Sequence, residues 1–128
     1  MNNRRFRRVK YVKTDVVSTD WTVKLVDVHP DLTAYNVCDG ILRCTDALEQ
    51  MPQQIKVVLW PTSHVFLAGH RIRIEISSSN FPRYDRNLNS GDTAVDATIS
   101  HIAHQQLYHS RRYPSHIVLP VIPALSNR

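Results

Sequence analysis

The chain has 128 residues, 42% of them hydrophobic, which suits one domain with a single hydrophobic core. This hydrophobic content excludes a disordered chain, and no apolar run approaches the roughly 20 residues of a membrane span. The formal net charge of +5 is unevenly placed, since six of the 16 Lys and Arg residues lie within the first 13 residues.

Those first 13 residues form a basic arm without any acidic residue. Its positive charges are Arg4, Arg5, Arg7, Arg8, Lys10 and Lys13. A basic arm on a nearly neutral body is compatible with binding to nucleic acid or an anionic surface, but a frayed, solvated terminus is the commoner outcome. We therefore predict a basic arm and loop over residues 1–18 and no nucleic-acid partner. The arm lacks the apolar stretch of a secretory signal, so a cytoplasmic location is expected.

The first predicted strand begins near residue 20. Trp21, Val23 and Leu25 alternate with more polar neighbours, which is the pattern of a strand with one buried face. The strand runs to about residue 28. Residues 29–31 (HPD) then break it, because Pro offers no N–H to a sheet.

The following segment contains a turn signal. Residues 35–44 predict two short strand segments around the dipeptide Asp39-Gly40, which favours a turn. Residues 45–54 start with a helix N-cap candidate, Asp46, and end at Pro52. A helix and a loop fit this stretch equally well.

The clearest pattern lies between residues 55 and 77. In residues 55–60, Ile55, Val57 and Leu59 alternate with Lys56, Val58 and Trp60, and in residues 71–77 three isoleucines alternate with polar side chains. Ala68-Gly69 supplies a turn between them, since Gly tolerates positive φ. We predict two strands joined as a β-hairpin, with one buried and one exposed face.

The polar loop over residues 78–89 is the strongest candidate for an interaction site. Aromatic residues and arginines, the types favoured at the centre of protein interfaces, are interleaved in it. The candidate interface residues are Phe81, Arg83, Tyr84 and Arg86. The alternative is a loop that folds onto its own domain, with Phe81 capping the core and Asp85 bonded to one of the arginines.

The C-terminal third is less regular. Residues 92–106 carry no consistent pattern, because Ile99, Ile102 and Ala103 fit one face of a helix while residues 105–109 resemble a strand. Residues 116–120 (HIVLP) form a short apolar strand. Residues 124–128 are a tail. Several short strands separated by turn signals predict an all-β fold, a β-sandwich.

The usual catalytic motifs are absent from this sequence. The only glycines, Gly40, Gly69 and Gly91, are too far apart for a nucleophile elbow, a P-loop or a dinucleotide-binding fingerprint. The pairs Ser63-His64 and Ser115-His116 are neighbours in sequence only, which does not place a base against a nucleophile. We predict no catalytic residue and no bound cofactor.

Histidines and cysteines offer weak metal signals. His101, His104 and His109 are close in sequence, but no acidic third ligand lies among them. Cys38 and Cys44 have no second pair and are expected to be free thiols. We therefore predict no metal site.

Four segments carry a family resemblance: KLVDVHPD (24–31), AYNVCDGILR (34–43), LWPTSHVFLAGHRIRIEISSSNFPRYDRNLNSG (59–91) and YHSRRYPSHIVLPVIP (108–123). They resemble the C-terminal domain of the X-prolyl dipeptidyl peptidase and cocaine esterase family of serine hydrolases. The resemblance covers residues 19–123, and its long third segment is specific. It implies a jelly-roll β-sandwich similar to galactose-binding domains.

The resemblance also implies that the catalytic centre lies elsewhere. In that family the domain follows an α/β-hydrolase domain with a Ser-Asp-His triad, so no triad residue is carried onto this chain. The hydrolase domain and the first jelly-roll strands are missing from the match, and the basic arm and the 43–55 connection depart from the family. We expect a fragment, incomplete on its N-terminal side.

The predicted organisation is therefore an arm (1–18), a jelly-roll domain (19–123) and a tail (124–128). The expected function is a non-catalytic accessory domain that packs on a hydrolase domain, in cis in relatives or in trans, and shapes its active-site entrance. Self-association of the chain is a further expectation, because an incomplete sandwich exposes apolar faces and edges. The alternative is a free-standing carbohydrate- or ligand-binding module, with Trp21 and Trp60 as candidate platforms.

Overall fold

A computed structural model describes residues 7–45, 51–91 and 98–122. These residues form two antiparallel sheets and no helix, which confirms the predicted β-sandwich. The strands are β1 (Arg7–Lys13), β2 (Thr19–Val28), β3 (Ala34–Cys44), β4 (Gln53–Val58), β5 (Arg71–Ser77), β6 (Gln106–Tyr108) and β7 (His116–Val118). The part of the chain that the structure describes contains no helix with the length and hydrophobicity of a membrane crossing.

The first sheet, called sheet A here, is built around β1. This strand pairs with β4 along one side and with β7 and then β6 along the other. Arg7 lies opposite Val118 of β7, and Lys13 lies opposite Gln106 of β6. The segment at the start of the chain is therefore the centre of a sheet.

The second sheet, sheet B, is built around β2, with β3 on one side and β5 on the other. The pairing of β2 with β3 shifts register between Leu25 and Val26, where Val37 is the extra residue of a β-bulge. At one end of the sheet Thr22 lies opposite Ser77, and at the other end Val28 lies opposite Arg71.

The core lies between the two sheets. Val23 and Leu25 of β2 pack there with Val57 of β4 and with Leu59, and all four are almost fully buried. Gly40 of β3 allows a close approach of the two sheets, because a Cβ at this position would overlap the carbonyl of Val58. The alternation predicted for residues 55–60 and 21–25 therefore marks the residues that form the core.

β1 corrects the prediction of a frayed basic arm over residues 1–18. Lys10 is fully buried and Val12 is 4% exposed, so one face of the strand packs inward. The aliphatic stem of a lysine covers apolar surface much as a hydrophobic residue does. The strand was not predicted because four of its seven residues are positively charged, including the lysine on its inner face. The part of the arm before Arg7 lies outside the described residues.

Two further predictions were wrong. β4 and β5 do not form a hairpin, because β4 pairs with β1 in sheet A and β5 pairs with β2 in sheet B. The connection between them crosses from one sheet to the other. Asp39-Gly40 is not a turn either, since β3 runs through it without interruption. In both cases pairing with a distant strand decided the structure.

Other predictions agree with the structure. The strand predicted over residues 71–77 is β5, and the strand-like segments near residues 105–109 and 116–120 contain β6 and β7. The isoleucine face of β5 is less buried than predicted, because Ile72 is half exposed. Residues 46–50, 92–97 and the tail lie outside the described residues, so the helix or loop alternative for 45–54 stays open at its centre.

Candidate functional site

The loop over residues 78–91, which follows β5, lies against sheet B and is held by two buried carboxylates. The first is Asp39 of β3, whose side chain is 4% exposed. Its Oδ2 forms an ion pair with Arg83 Nε at 2.7 Å and accepts a hydrogen bond from Asn80 Nδ2 at 3.3 Å, and its Oδ1 accepts one from the Tyr84 hydroxyl at 3.3 Å. One carboxylate therefore fixes three residues at the start of the loop.

The second carboxylate is Asp20 of β2. It accepts two hydrogen bonds from the guanidinium of Arg43, its cross-strand neighbour, at 2.8 and 2.9 Å. It also accepts one from Asn87 Nδ2 at 3.1 Å, while the same amide group donates to Ser18. A bidentate Arg–carboxylate pair is among the stronger polar contacts in proteins. The loop is thus anchored near both ends.

These carboxylates lie on the outer face of sheet B. Asp39 is the cross-strand partner of Lys24, whereas the adjacent pair, Gly40 and Val23, faces the core. Neighbouring residues on a strand point to opposite faces. The loop covers this outer face, and Thr22 Oγ1 donates to the carbonyl of Ser77, the last residue of β5 before the loop. This cover explains why acidic residues on the outer face are buried.

Both anchoring arginines remain charged. Hydrogen bonding to Asp20 raises the pKa of Arg43, and hydrogen bonding to Tyr84 and Asp39 raises the pKa of Arg83. A guanidinium is always protonated near neutral pH, and a carboxylate partner strengthens that preference. Arg43 and Arg83 therefore keep their positive charge across the physiological range.

The four predicted interface residues divide into two pairs. Arg83 and Tyr84 contact Asp39 of their own domain. Phe81 is 61% exposed, and the guanidinium of Arg86, also exposed, lies 5.2 Å from the centre of its ring. The predicted alternative is wrong in its details, because Phe81 does not cap the core and Arg83 pairs with Asp39 rather than Asp85.

Sequence reasoning missed Asp20 and Asp39 as anchors of the loop. Two signals were available in the sequence. Each aspartate is next in sequence to a strand residue that faces the core, and Arg, Asn and Tyr are concentrated in one later loop. The first signal is weak, since an acidic residue on the outer face of a strand is ordinarily exposed. The contacts of the two aspartates join residues far apart in the chain, and no local pattern reports such contacts.

The remaining sequence candidates are scattered. His101 and His109 are exposed, and His104 contacts Asp15 through its backbone N–H and its ring at 2.7 and 2.6 Å. Trp21 is buried in the core at 3% exposure, while Trp60 is 61% exposed. The structure does not bring these residues together.

Both cysteines are free thiols, as expected from the sequence. Burial raises the pKa of both Cys38 and Cys44, with a further contribution from a neighbouring aspartate in each case. The thiolate is the reactive form of cysteine, and a raised pKa makes it rarer at neutral pH. Neither thiol has the character of a nucleophile.

Comparison with known proteins finds relatives among hydrolases. The chain is 40% identical over 123 residues to the cocaine esterase of Rhodococcus sp. (strain MB1 Bresler), which covers 88% of this chain and 21% of the esterase. It superposes on an alpha-amino acid ester hydrolase labelled with selenomethionine with a TM-score of 0.78 and 28% identity, covering 91% of this chain and 23% of that one.

A second solved structure shows the same fold at lower identity. It is an aminopeptidase from the marine sediment archaeon Thaumarchaeota archaeon, with a TM-score of 0.76 and 24% identity. The match covers 89% of this chain and 23% of that one. The chain thus spans less than a quarter of the length of each of these three relatives.

A family model also matches, and it is described as the X-Pro dipeptidyl-peptidase C-terminal non-catalytic domain. The match runs from residue 9, inside β1, to residue 118, the last residue of β7. It therefore includes every strand described above, the core between the sheets and the anchored loop. The chain belongs to the family of X-Pro dipeptidyl-peptidase C-terminal non-catalytic domains.

Proposed function

We propose that this chain acts as an accessory domain that packs on an α/β-hydrolase domain of the X-Pro dipeptidyl-peptidase or ester-hydrolase type and shapes its active-site entrance. The observation that carries the proposal is Phe81, which is 61% exposed on a loop held in place by two buried carboxylates. Since the family domain is described as non-catalytic, the catalytic residues of its hydrolase relatives belong to the rest of their chains.

An exposed aromatic residue on an anchored loop is suited to binding. A flexible loop loses conformational entropy when a partner orders it, whereas a loop already held by hydrogen bonds loses much less. Arg83 and Tyr84 supply the hold through Asp39, and Phe81 and Arg86 are left to contact the partner. Aromatic and arginine side chains at the centre of an interface commonly carry most of the binding energy.

The surface next to the loop supports the same proposal. An open depression beside the loop is lined by Ile41, Arg43, Arg83, Tyr84 and Asp85. Tyrosine and arginine are among the residue types enriched at protein interfaces. Self-association of the isolated chain and a cytoplasmic location stay predictions.

We infer that the chain alone has no peptidase or esterase activity. Its sequence lacks a nucleophile elbow, and its cysteine thiols are disfavoured as nucleophiles by their raised pKa values. The check is hydrolysis of an activated ester by the purified chain, with and without a serine-directed inhibitor. A burst that the inhibitor abolishes would contradict this inference.

The docking proposal is tested in a chimera in which this chain replaces the C-terminal part of the Rhodococcus esterase. Phe81→Ala should weaken packing between the two parts by about 2 kcal/mol or more, as expected for a central aromatic anchor. The chimera should then melt at a lower temperature and lose esterase activity. The isolated chain with the same substitution should unfold as the wild type does.

Leu32→Ala is the matched control for this experiment. Leu32 is 68% exposed in the turn after β2, at the end of sheet B opposite to the loop. Its removal should leave the chimera unchanged. If Phe81→Ala instead lowers the stability of the isolated chain, the loop serves its own domain and the docking role is wrong.

A second candidate function is a carbohydrate-binding module, favoured by the 61% exposure of Trp60. Exposed aromatic rings provide stacking platforms for sugars. This function requires saturable binding to a glycan that Trp60→Ala abolishes. Absence of glycan binding by the wild-type chain would leave the accessory-domain function alone.

A further inference from the structure

A third buried carboxylate, Asp27, has a different set of partners from the other two. It is the penultimate residue of β2, and its side chain is 2% exposed. Its Oδ2 lies 2.9 Å from His64 Nε2 and 3.9 Å from His29 Nε2, and its Oδ1 lies 2.9 Å from His70 Nδ1. Three imidazoles therefore surround one carboxylate, one from the residue after β2 and two from the connection between β4 and β5.

The contrast with Asp20 and Asp39 is chemical. Those two carboxylates, the other buried ones among the described residues, are bound by arginine, asparagine and tyrosine side chains. A guanidinium cannot ligate a cation, and an amide nitrogen is not a ligand either. A neutral imidazole is the commonest metal ligand in proteins. The three side chains around Asp27, those of His29, His64 and His70, can all ligate a metal.

The geometry permits ligation by three of the four groups. One oxygen of Asp27 and one ring nitrogen each of His29 and His70 all lie within 4.8 Å of one another. In a tetrahedral zinc site with bonds of about 2.0–2.1 Å, neighbouring ligand atoms are roughly 3.4 Å apart. The observed separations differ from that spacing by less than about 1.5 Å.

The surroundings hold the ligands in place and leave an entry path. The rings of His29 and His70 lie 4.2 Å apart, and Tyr35 packs on His29 at 4.8 Å. His29 and His64 are each about one-third exposed, so a solvated ion can reach the buried carboxylate. His64 bonds the carboxylate from the side, as the outer partners of metal ligands commonly do.

We propose that Asp27, His29 and His70 form a binding site for a divalent transition metal ion, Zn²⁺ in particular, with His64 orienting the carboxylate. Two imidazole nitrogens and one carboxylate oxygen suit Zn²⁺ rather than Ca²⁺ or Mg²⁺, which prefer oxygen ligands throughout. Water completes the coordination. The ion joins the end of β2 to the residue before β5, and so ties two strands of sheet B together at the end opposite to the loop.

The sequence predicts no metal site. The histidines weighed there, His101, His104 and His109, do not contribute to the site proposed here. Asp27 and His29 are two apart at the end of one strand, but His70 is 43 residues from Asp27 in the chain. Only the pairing of β2 with β5 brings His70 next to them.

The test uses the full chain without a polyhistidine tag, treated with a chelator and then titrated with ZnCl₂ in a calorimeter. We expect saturable binding of one ion per chain and a rise in melting temperature with zinc concentration. Co²⁺ in place of Zn²⁺ should give the visible absorption of a low-symmetry nitrogen- and oxygen-ligated site. If no saturable binding occurs, the proposal is wrong.

His29→Phe is the diagnostic variant, because phenylalanine keeps a ring next to His70 and Tyr35 but removes the ligand nitrogen. Zinc affinity should fall at least about tenfold, the lower range seen for losses at metal sites. His101→Ala, which removes an exposed histidine elsewhere, should bind zinc as the wild type does. Unchanged affinity in His29→Phe, or lost affinity in His101→Ala, would overturn the assignment.

A readout on the wild-type chain guards against a variant that fails to fold. Bound Co²⁺ is paramagnetic and shifts the NMR signals of the imidazole protons of its ligands. Two strongly shifted rings that belong to His29 and His70 would support the site. Shifted signals from His101, His104 or His109 instead would place the ion elsewhere and contradict the proposal.

Discussion

β1 and β2 occupy the same position in the two sheets, since each is the central strand of its own sheet. Their sequences differ greatly. In the middle of β2 (TDWTVKLVDV) the apolar residues Trp21, Val23 and Leu25 alternate with other residues, whereas β1 (RRVKYVK) carries four positive charges in seven residues. Residues 21–28 were predicted as a strand from the sequence, and residues 7–13 were assigned to an arm.

The difference shows that charge composition and strand position are separate properties. In β2 the inward-facing residues Trp21, Val23 and Leu25 are all apolar, so the pattern is visible. In β1 the inward-facing positions hold Lys10 and Val12. Because a lysine takes the place of an apolar residue, the alternation of apolar and polar residues that would indicate a strand is interrupted. A buried lysine beside a run of arginines is read as surface charge by any rule based on composition.

Deletion of residues 1–13 gives the largest expected effect and tests the comparison most directly. Without β1, strands β4, β6 and β7 lose their only shared neighbour among the described strands, and sheet A cannot form. The shortened chain should lose its cooperative thermal transition, measured by circular dichroism or calorimetry. Deletion of residues 1–6 leaves β1 whole and should preserve that transition. A folded chain without residues 1–13 would restore the interpretation of a dispensable arm.

A matched pair of substitutions comes next in size. Val12→Ala in β1 and Val23→Ala in β2 remove the same atoms from residues that are 4% and 0% exposed and belong to one core. Each should lower the free energy of unfolding by roughly 2 kcal/mol, through lost burial and the cavity that remains. Urea unfolding measures both values. A loss in Val23→Ala without one in Val12→Ala would mean that β1 contributes little to the core.

The smallest expected effect concerns Asp15, two residues beyond β1. A hydrogen bond from the His104 backbone N–H, joined by one from its ring, lowers the pKa of Asp15. Because the folded pKa lies below the unfolded value of about 3.9, this contact stabilises the fold above roughly pH 4. The stabilisation is lost as the pH falls through the folded pKa.

Asp15→Asn tests that contact. Since both side chains are at least half exposed, the variant should be only slightly less stable than the wild type at neutral pH. The difference should shrink in urea unfolding at acidic pH. A difference that grows with acidity would contradict the sign of the shift.

The sequence allowed much of sheet B to be predicted, but not its assembly with sheet A. β5 was predicted with its observed bounds because three isoleucines alternate within it. The partner of β4 was wrong, since a turn at Gly69 is compatible with a hairpin and with a crossover between sheets. Local patterns report which residues form strands, while partners depend on distant parts of the chain.

The candidate loop could be predicted only as a set of residue types. Phe81, Arg83, Tyr84 and Arg86 were identified by composition, and no local rule separates those that hold the loop from those exposed on it. That division depends on Asp39, which lies more than 40 residues earlier. Asp27 and its histidines were missed for the same reason, because strand pairing rather than spacing brings them together.

The pairing of β1 has a consequence for how the chain folds. Arg7 pairs with Val118, so the first described strand closes a sheet with the last one, across nearly the whole chain. Bringing two distant strands together costs conformational entropy before their contacts form. Folding is slower when the contacting residues lie far apart in the sequence, as β1 and β7 do. During synthesis sheet A cannot be completed until β7 has left the ribosome. Until then one edge of β1 is open to pairing with other chains.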